Sequence, residues 1–220
     1  KKHSNIFITE NKNSYLMNLA KKLKAEIIHH NNFIGGRYSV LSEVGMLPAE
    51  LMGLKPSKFR RLNNLIKNKT FINALISNVS NLLDLANRKM TNSIILNYDE
   101  KSFDFFNWYQ QLVAESLGKK GKGFHPIIST MPKDNHSLMQ LYLSGPRNNF
   151  FTFFFIKEAS LKGINRVKFA QFSATQSVFK KKNIPFRSFL IKKRNEETLG
   201  ELFTFFILET ILLGRAMDIN

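Results

Sequence analysis

Apolar and polar positions alternate along this chain in a pattern that predicts strands and helices in turn. Six short apolar runs predict β-strands: NIFITE (5–10), EIIHH (26–30), NSIILNY (92–98), PIIST (126–130), NFFTFFFI (149–156) and IPFRSFLIKK (184–193). Apolar residues three and four positions apart predict helices at 13–25, 48–89, 102–117, 135–143, 167–183 and from Glu196 or Glu197 to about Arg215.

Two details refine these elements. Asn13 or Ser14 can cap the first helix, and the helical stretch 48–89 should break near Gly53 and Pro56. The first strand, helix and strand form a β-α-β unit whose beginning we expect to be missing.

The continuous apolar character of 92–98 and 149–156 is typical of parallel strands covered on both faces. Strands that alternate with helices imply right-handed β-α-β crossovers. The pattern therefore predicts an α/β fold, a three-layer αβα sandwich around a mainly parallel sheet.

Composition restricts the classes of partner. The 220 residues contain no cysteine, which excludes disulfides and thiolate metal sites and favours a reducing compartment. The net charge of +17 suggests phosphorylated ligands or nucleic acid, but the lysines are spread along the chain, as on a generally basic solvated surface. The aromatic runs are better interpreted as core than as base-stacking surfaces, since basic residues do not interleave FFTFFF, so no nucleic-acid partner is expected.

No membrane span is expected either. The longest apolar run, LFTFFILETILLG, is interrupted by Glu209 and is shorter than the roughly 18 residues that a span needs. The first ten residues are too short and polar for a signal peptide.

The stretch QQLVAESLGKKGKG offers a candidate base. Gln111 and Glu115 are four residues apart and share one helix face, and Gly118 stands where a helix-ending glycine belongs. Glu115 would then lie in the last helical turn, beside three lysines at 119, 120 and 122. The residues alone fit either a catalytic base or a helix-end glutamate neutralised by lysines.

Two further segments carry candidate chemistry. In GGRYSVLSEVG, paired glycines allow a tight turn and close backbone approach, and Arg37 can bind an oxyanion or can be an exposed turn residue. His136 opens a helix that Asp134 or Asn135 can cap, and by spacing alone it fits an ordinary surface residue. The other histidines, including His3, are scattered and no H-E-x-x-H is present, so no metal site is expected.

Together, three motifs resemble the glucose-6-phosphate isomerase family. NFIGGRYSVLSEVG resembles the first signature, although Glu43 replaces its usual proline or small residue. QQLVAESLGKKGKG resembles the segment with the catalytic glutamate, and PKDNHSLMQLYLSGP the segment with the catalytic histidine. GRAMDIN resembles the approach to the second signature, so the resemblance covers essentially the whole chain.

The resemblance implies a role for five residues. Glu115 would move a proton between adjacent sugar carbons through a cis-enediol, and Arg37 would stabilise the developing negative charge. Gly36, through its backbone, and Gln111 would hold the sugar. His136 would assist ring opening from the neighbouring subunit of a homodimer, although many relatives have two histidines where this chain has Asn135 and His136.

The resemblance also implies the biological setting. The fold would be of the sugar-isomerase type, with residues 1–65 as the remnant of an incomplete first domain plus connecting helices and 66–220 as the second domain. The reaction would interconvert glucose 6-phosphate and fructose 6-phosphate in the cytoplasm, in glycolysis and gluconeogenesis, without a cofactor. The alternatives are a non-catalytic sugar-phosphate-binding regulatory domain of the same fold and, more remotely, a nucleic-acid-binding protein.

The family's phosphate-binding loop and its ring-opening lysine have no counterpart in these 220 residues. We therefore expect the chain alone to show little or no isomerase activity, because neither the phosphate anchor nor that lysine is present. A coupled assay with fructose 6-phosphate measures this, and near-normal turnover would contradict the expectation.

Overall fold

Two separate parallel β-sheets organise the chain. The computed structural model describes residues 5–158 and 162–219, so His3 and the final Asn220 of GRAMDIN lie outside the described residues. The strands are β1 (Ile6–Glu10), β2 (Glu26–His30), β3 (Asn92–Asn97), β4 (His125–Thr130), β5 (Asn149–Ile156) and β6 (Phe186–Ile191). The α-helices are α1 (Tyr15–Leu23), α2 (Glu43–Leu51), α3 (Pro56–Phe59), α4 (Leu62–Leu65), α5 (Lys69–Asn87), α6 (Phe103–Leu117), α7 (Lys133–Ser137), α8 (Met139–Ser144), α9 (Ile164–Lys181) and α10 (Glu196–Ala216).

The first sheet contains β1 and β2, which pair in parallel with Ile8 opposite Ile28. Helix α1 connects them, and the Ser14 side chain accepts a hydrogen bond from the Met17 N–H at its start. This confirms the β-α-β unit and selects Ser14 rather than Asn13 as the helix cap. A 3-10 turn, Gly36–Leu41, follows β2 and leads into α2.

The helical stretch between the sheets breaks where the sequence predicts. Gly53 adopts a positive φ of 82° after α2, and Pro56 begins α3. Helix α3 packs directly on α10, where a Cβ added to Gly200 would lie 2.2 Å from the Phe59 carbonyl oxygen. Glycine at position 200 is therefore required for the close approach of the two backbones. The domain boundary at residues 65 and 66 stays a prediction.

The second sheet has four parallel strands in the order β4-β3-β5-β6. The chain enters at β3, moves outward to β4 through α6, and returns past β3 to β5 and then β6. All predicted strands and their parallel arrangement are confirmed.

The predicted three layers are present around this sheet. Consecutive residues of β3 point to opposite faces, so Ile95 packs with α5, α6 and α10, whereas Ile94 and Leu96 pack with α8 and α9. Strand β5 contributes to both cores in the same way, with Phe150 and Phe154 on one face and Phe151, Phe153 and Phe155 on the other. Burial of each Phe side chain stabilises the fold by about 1.5–3 kcal/mol. Helices must therefore cover both faces of the two central strands.

The helix around His136 differs from its prediction. It is interrupted at Leu138, which divides the segment into α7 and α8. Asp134 does not cap this helix from outside but lies within α7, buried, where it accepts hydrogen bonds from the Thr130 N–H (2.7 Å) and the Ser129 hydroxyl (2.9 Å). A carboxylate that satisfies the end of β4 in this way fixes α7 against the sheet.

A buried ion pair and its hydrogen bonds connect five elements: β5, β6, α5, α6 and α10. Arg187 of β6 pairs with Glu209 of α10, whose side chain is 1% exposed. The Arg187 guanidinium also donates to Thr152 of β5 (2.9 Å) and Asn78 of α5 (3.0 Å), and the Tyr109 hydroxyl of α6 donates to Glu209 (3.0 Å). Burial and the Glu209 charge raise the pKa of Tyr109 above its ordinary value, so this tyrosine stays a neutral donor.

Replacing Glu209 with Gln should destabilise the fold by about 3–5 kcal/mol, because the mostly buried Arg187 loses its counter-charge. Asp84→Asn is the matched control, since the exposed pair of Asp84 with Arg88 on α5 should be worth less than about 0.5 kcal/mol. Urea unfolding followed by circular dichroism measures both, and equal losses would contradict the prediction. The double variant Arg187→Met with Glu209→Leu should recover much of the loss, because no charge is then left buried alone.

Candidate functional site

The candidate base Glu115 lies near the end of α6 with its side chain 51% exposed. As predicted from their spacing, Gln111 lies one turn earlier on the same face and donates from Nε2 to Glu115 Oε1 at 2.9 Å. The second carboxylate oxygen, Oε2, faces Arg37 Nη1 at 3.4 Å. The structure therefore brings together Glu115, Gln111 and Arg37, three of the five residues assigned from the sequence.

Arg37 is held at both its backbone and its side chain. The Trp108 indole N–H donates to the Arg37 carbonyl oxygen at 3.0 Å, and the Arg37 Nε donates to Ser116 Oγ at 2.7 Å. The Tyr38 hydroxyl donates to the same Ser116 oxygen at 2.8 Å. These bonds orient the guanidinium, whose Nη1 faces Glu115, while a quarter of the arginine side chain remains exposed.

Sequence reasoning missed Ser116 and Trp108, which orient Arg37. Ser116 immediately follows Glu115 but points the other way, into the protein, where it is 9% exposed. Trp108 lies two helical turns before Glu115. A polar residue next to a candidate base, on the buried side of an amphipathic helix, is the signal that could have identified Ser116.

The glycines before Arg37 form a turn in which neither adopts a positive φ. Gly35 has a φ of −66° and Gly36 lies in the 3-10 turn, so neither is among the glycines with positive φ. A Cβ added to Gly36 would meet no protein atom within 4 Å. The chain does turn at these glycines, with the Tyr38 N–H donating to the Gly35 carbonyl oxygen at 2.9 Å, and open space lies beside the Gly36 backbone.

The lysines after α6 contact the end of another helix. Lys122 donates to the Met217 carbonyl oxygen at 2.6 Å, and Lys120 donates to the Asp218 carbonyl oxygen at 3.2 Å. Both bonds lie at the carboxyl end of α10, where cations stabilise the unpaired carbonyls and the helix dipole. Gly118 ends α6 as expected, with a φ of −75°, and an added Cβ there would lie 2.5 Å from the Ala114 carbonyl oxygen. Lys120 and Lys122 are therefore fixed at α10, and the described hydrogen bonds of Glu115 run to Gln111 and Arg37.

The structure does not bring His136 to Glu115 within one chain. Glu115 lies two residues before the end of α6, at the edge of the sheet where β4 begins, and exposed His136 lies in α7, beyond the edge where β4 ends. The six residues of β4 separate these edges by about 20 Å, at about 3.3 Å per residue. A site that used both side chains would need them from two copies of the chain.

The described residues hold no group of three or more His, Asp or Glu side chains arranged to bind a metal ion. Within the same residues, no helix combines the length and apolarity needed to cross a membrane.

The sequence of this chain is similar to those of known enzymes. No family model matches the chain. The chain is 30% identical over 211 residues to a probable glucose-6-phosphate isomerase of Methanococcus maripaludis, a match that covers 85% of the chain and 47% of that protein. It is 29% identical, over an alignment of 236 positions, to the glucose-6-phosphate isomerase of Methanocaldococcus jannaschii. This match covers 98% of the chain and 58% of that protein.

Solved structures share the fold. A hypothetical protein of Thermus thermophilus aligns with a TM-score of 0.81 at 20% identity, over 97% of this chain and 58% of its own. A glucose-6-phosphate isomerase of Chlamydia trachomatis aligns with a TM-score of 0.72 at 20% identity, over 98% of this chain and 48% of its own. The chain spans about half the length of the curated relatives that it matches. Sequence similarity over most of its length, together with the shared α/β fold, places this chain in the glucose-6-phosphate isomerase family.

Proposed function

We propose that the protein to which these residues belong interconverts glucose 6-phosphate and fructose 6-phosphate in the cytoplasm, without a cofactor. The observation that carries the proposal is the exposed Glu115 carboxylate, which Gln111 holds on one oxygen and Arg37 faces on the other. Moving a proton between two adjacent carbons needs a base on one side of the sugar and a positive group where negative charge develops. The names of the curated relatives support this reaction.

In this mechanism Glu115 removes a proton from C2 of the open-chain aldose. The electrons of that C–H bond form the C1–C2 double bond of a cis-enediol, while charge develops on the oxygen at C1. The proton of the O2 hydroxyl is transferred to O1, and Glu115 returns its proton to C1, so that C2 becomes the carbonyl carbon of the ketose. One carboxylate performs both transfers because the two carbons are adjacent.

The contact between Glu115 and Arg37 suits this role. Their 3.4 Å separation is longer than the roughly 2.7–2.9 Å of a strong charge-assisted hydrogen bond. The carboxylate therefore lies next to the guanidinium without forming a strong hydrogen bond to it. Arg37 is instead anchored through Nε to Ser116, which orients its remaining donors toward the space beside Glu115. We propose that these donors stabilise the charged enediol oxygen, and that the open Gly36 backbone and Gln111 hold the sugar.

Replacing Glu115 with Gln in the full-length protein should lower turnover by about 10²–10⁴-fold, because the amide cannot accept the proton from carbon. Fructose 6-phosphate should still bind, with little change in the dissociation constant measured by calorimetry. Glu50→Gln is the matched control, an equally conservative change at an exposed position of α2, and should retain full activity. A Glu115→Gln protein with normal turnover would exclude Glu115 as the base, and binding without turnover in the unaltered protein would favour the regulatory-domain alternative.

We further propose that the active protein is a homodimer in which His136 of one subunit assists ring opening beside Glu115 of the other. The separation of about 20 Å between the two edges of the sheet supports this arrangement, since one chain cannot supply both groups to one sugar. The exposure of His136 leaves it free to reach a second copy.

Mixed dimers test this proposal. Glu115→Gln and His136→Ala homodimers should each be impaired, whereas a dimer that combines them contains one complete site. Random mixing of the two variants should therefore restore about a quarter of the unaltered activity, as expected for an isologous two-fold dimer. No recovery in mixtures shown to contain mixed dimers would mean that both groups act from the same chain, and an unimpaired His136→Ala homodimer would mean that His136 has no role.

A further inference from the structure

The histidine at the end of β2 and the glutamate at the start of α2 are neighbours in space. His30 has a side chain that is only 10% exposed, and its Nδ1 lies 3.4 Å from Oε2 of Glu43, whose side chain is 39% exposed. The intervening residues, which we call the 31–42 loop, carry Gly36 and Arg37. Any contact between its two ends therefore bears on the position of Arg37.

Both ring nitrogens of His30 face hydrogen-bonding partners. Nε2 lies 3.0 Å from the Ile34 carbonyl oxygen, which can only accept, so Nε2 carries a hydrogen. Nδ1 faces Glu43 Oε2 and also Ser42 Oγ at 3.4 Å. Ser42 donates its single hydroxyl hydrogen to the Ser39 carbonyl oxygen at 2.8 Å. Ser42 therefore donates away from the ring, and the Glu43 carboxylate is the charged group that Nδ1 faces.

The electrostatics of Glu43 also reflect its contact with His30. The pKa of Glu43 is held below its ordinary value, first by its own backbone N–H and then by the hydrogen bond and charge of His30, with a further contribution from Arg60; partial burial acts in the opposite direction. Glu43 thus remains a carboxylate and pairs with the His30 ring. The neighbouring His29 is exposed, as expected from the alternation along β2.

The pair fastens both ends of the 31–42 loop to one ring. Through Nε2, His30 holds Ile34, three residues before Arg37, and through Nδ1 it holds Glu43, immediately after the loop. Within the loop, the Ser39 hydroxyl donates to the Gly36 carbonyl oxygen at 2.6 Å. The backbone around Arg37 is therefore held by hydrogen bonds within the loop and by the Trp108 side chain of α6.

We propose that the His30–Glu43 pair is a positioning device that holds the 31–42 loop so that Arg37 faces Glu115. This inference rests on the proposed role of Arg37 in stabilising the enediol charge. In this proposal Glu43, the residue at which the GGRYSVLSEVG motif departs from its family pattern, pairs with His30 to hold the loop. His30 and Glu43 act through Arg37 and contact no substrate.

The test uses His30→Gln and Glu43→Gln in the full-length protein, with Glu50→Gln on the same helix as control. In His30→Gln, carbon-13 NMR of the Glu43 carboxyl should show its titration midpoint move upward, toward the ordinary value, because a positive partner is lost. In both variants the loop amides should exchange faster with solvent. Turnover should fall about three- to tenfold while KM changes less than twofold, as for an interaction that matters mainly in the transition state.

Each outcome has one meaning. An unchanged Glu43 titration in His30→Gln, or unchanged loop exchange in both variants, would overturn the pairing. A shifted titration with unaltered turnover would show that the pair exists but does not position Arg37, which also overturns the proposal. Glu43→Gln, at a partly exposed position, provides the exchange and kinetic measurements if His30→Gln fails to fold. If the unaltered protein proves inactive, the proposed function fails, while the titration and exchange measurements still decide whether the pair closes the loop.

Discussion

The burial of β3 and β5 on both faces is the constraint on which the rest of this structure depends. The rings of β5 alternate between two cores, and neither face can be left to water without losing several kcal/mol. The helices must therefore divide between two layers, and α6 must cross from the end of β3 to the start of β4. That crossing fixes which side chains lie at which edge of the sheet: Glu115 at the edge where β4 begins and His136 beyond the edge where β4 ends.

Helix α6 consequently supports the candidate site. Its exposed face presents Gln111 and Glu115, whereas its inward side presents Trp108 and Ser116, which hold Arg37. Farther inside, Tyr109 of the same helix joins the buried Arg187–Glu209 pair. A single helix thus connects the candidate base Glu115, the candidate charge-stabilising Arg37 and the internal ion pair. A pre-organised site requires support of this kind.

Much of the fold was accessible from the sequence because its signals are local. The apolar runs predicted every strand, the three- and four-residue spacing predicted the helices, and the spacing of Gln111 and Glu115 predicted their contact. The spacing did not identify the partner where a polar group had several possible ones. Asp134 bonds back to β4 instead of capping its helix, and Lys120 and Lys122 bind the end of α10, nearly a hundred residues later in the chain. The choice of partner depends on which elements become neighbours, and local spacing does not contain that information.

By itself, then, the sequence determined the α/β class, the parallel strands, the family resemblance and the identities of Glu115, Arg37 and His136 as candidates. Only the tertiary structure decided that Arg37 meets Glu115, 78 positions later in the chain, and that Ser116 orients Arg37. It alone closed the 31–42 loop through His30 and Glu43, and it alone placed His136 at the opposite edge of the sheet. The physical reason is that periodicity specifies which face of an element is buried, whereas the meeting of distant side chains depends on how the layers pack.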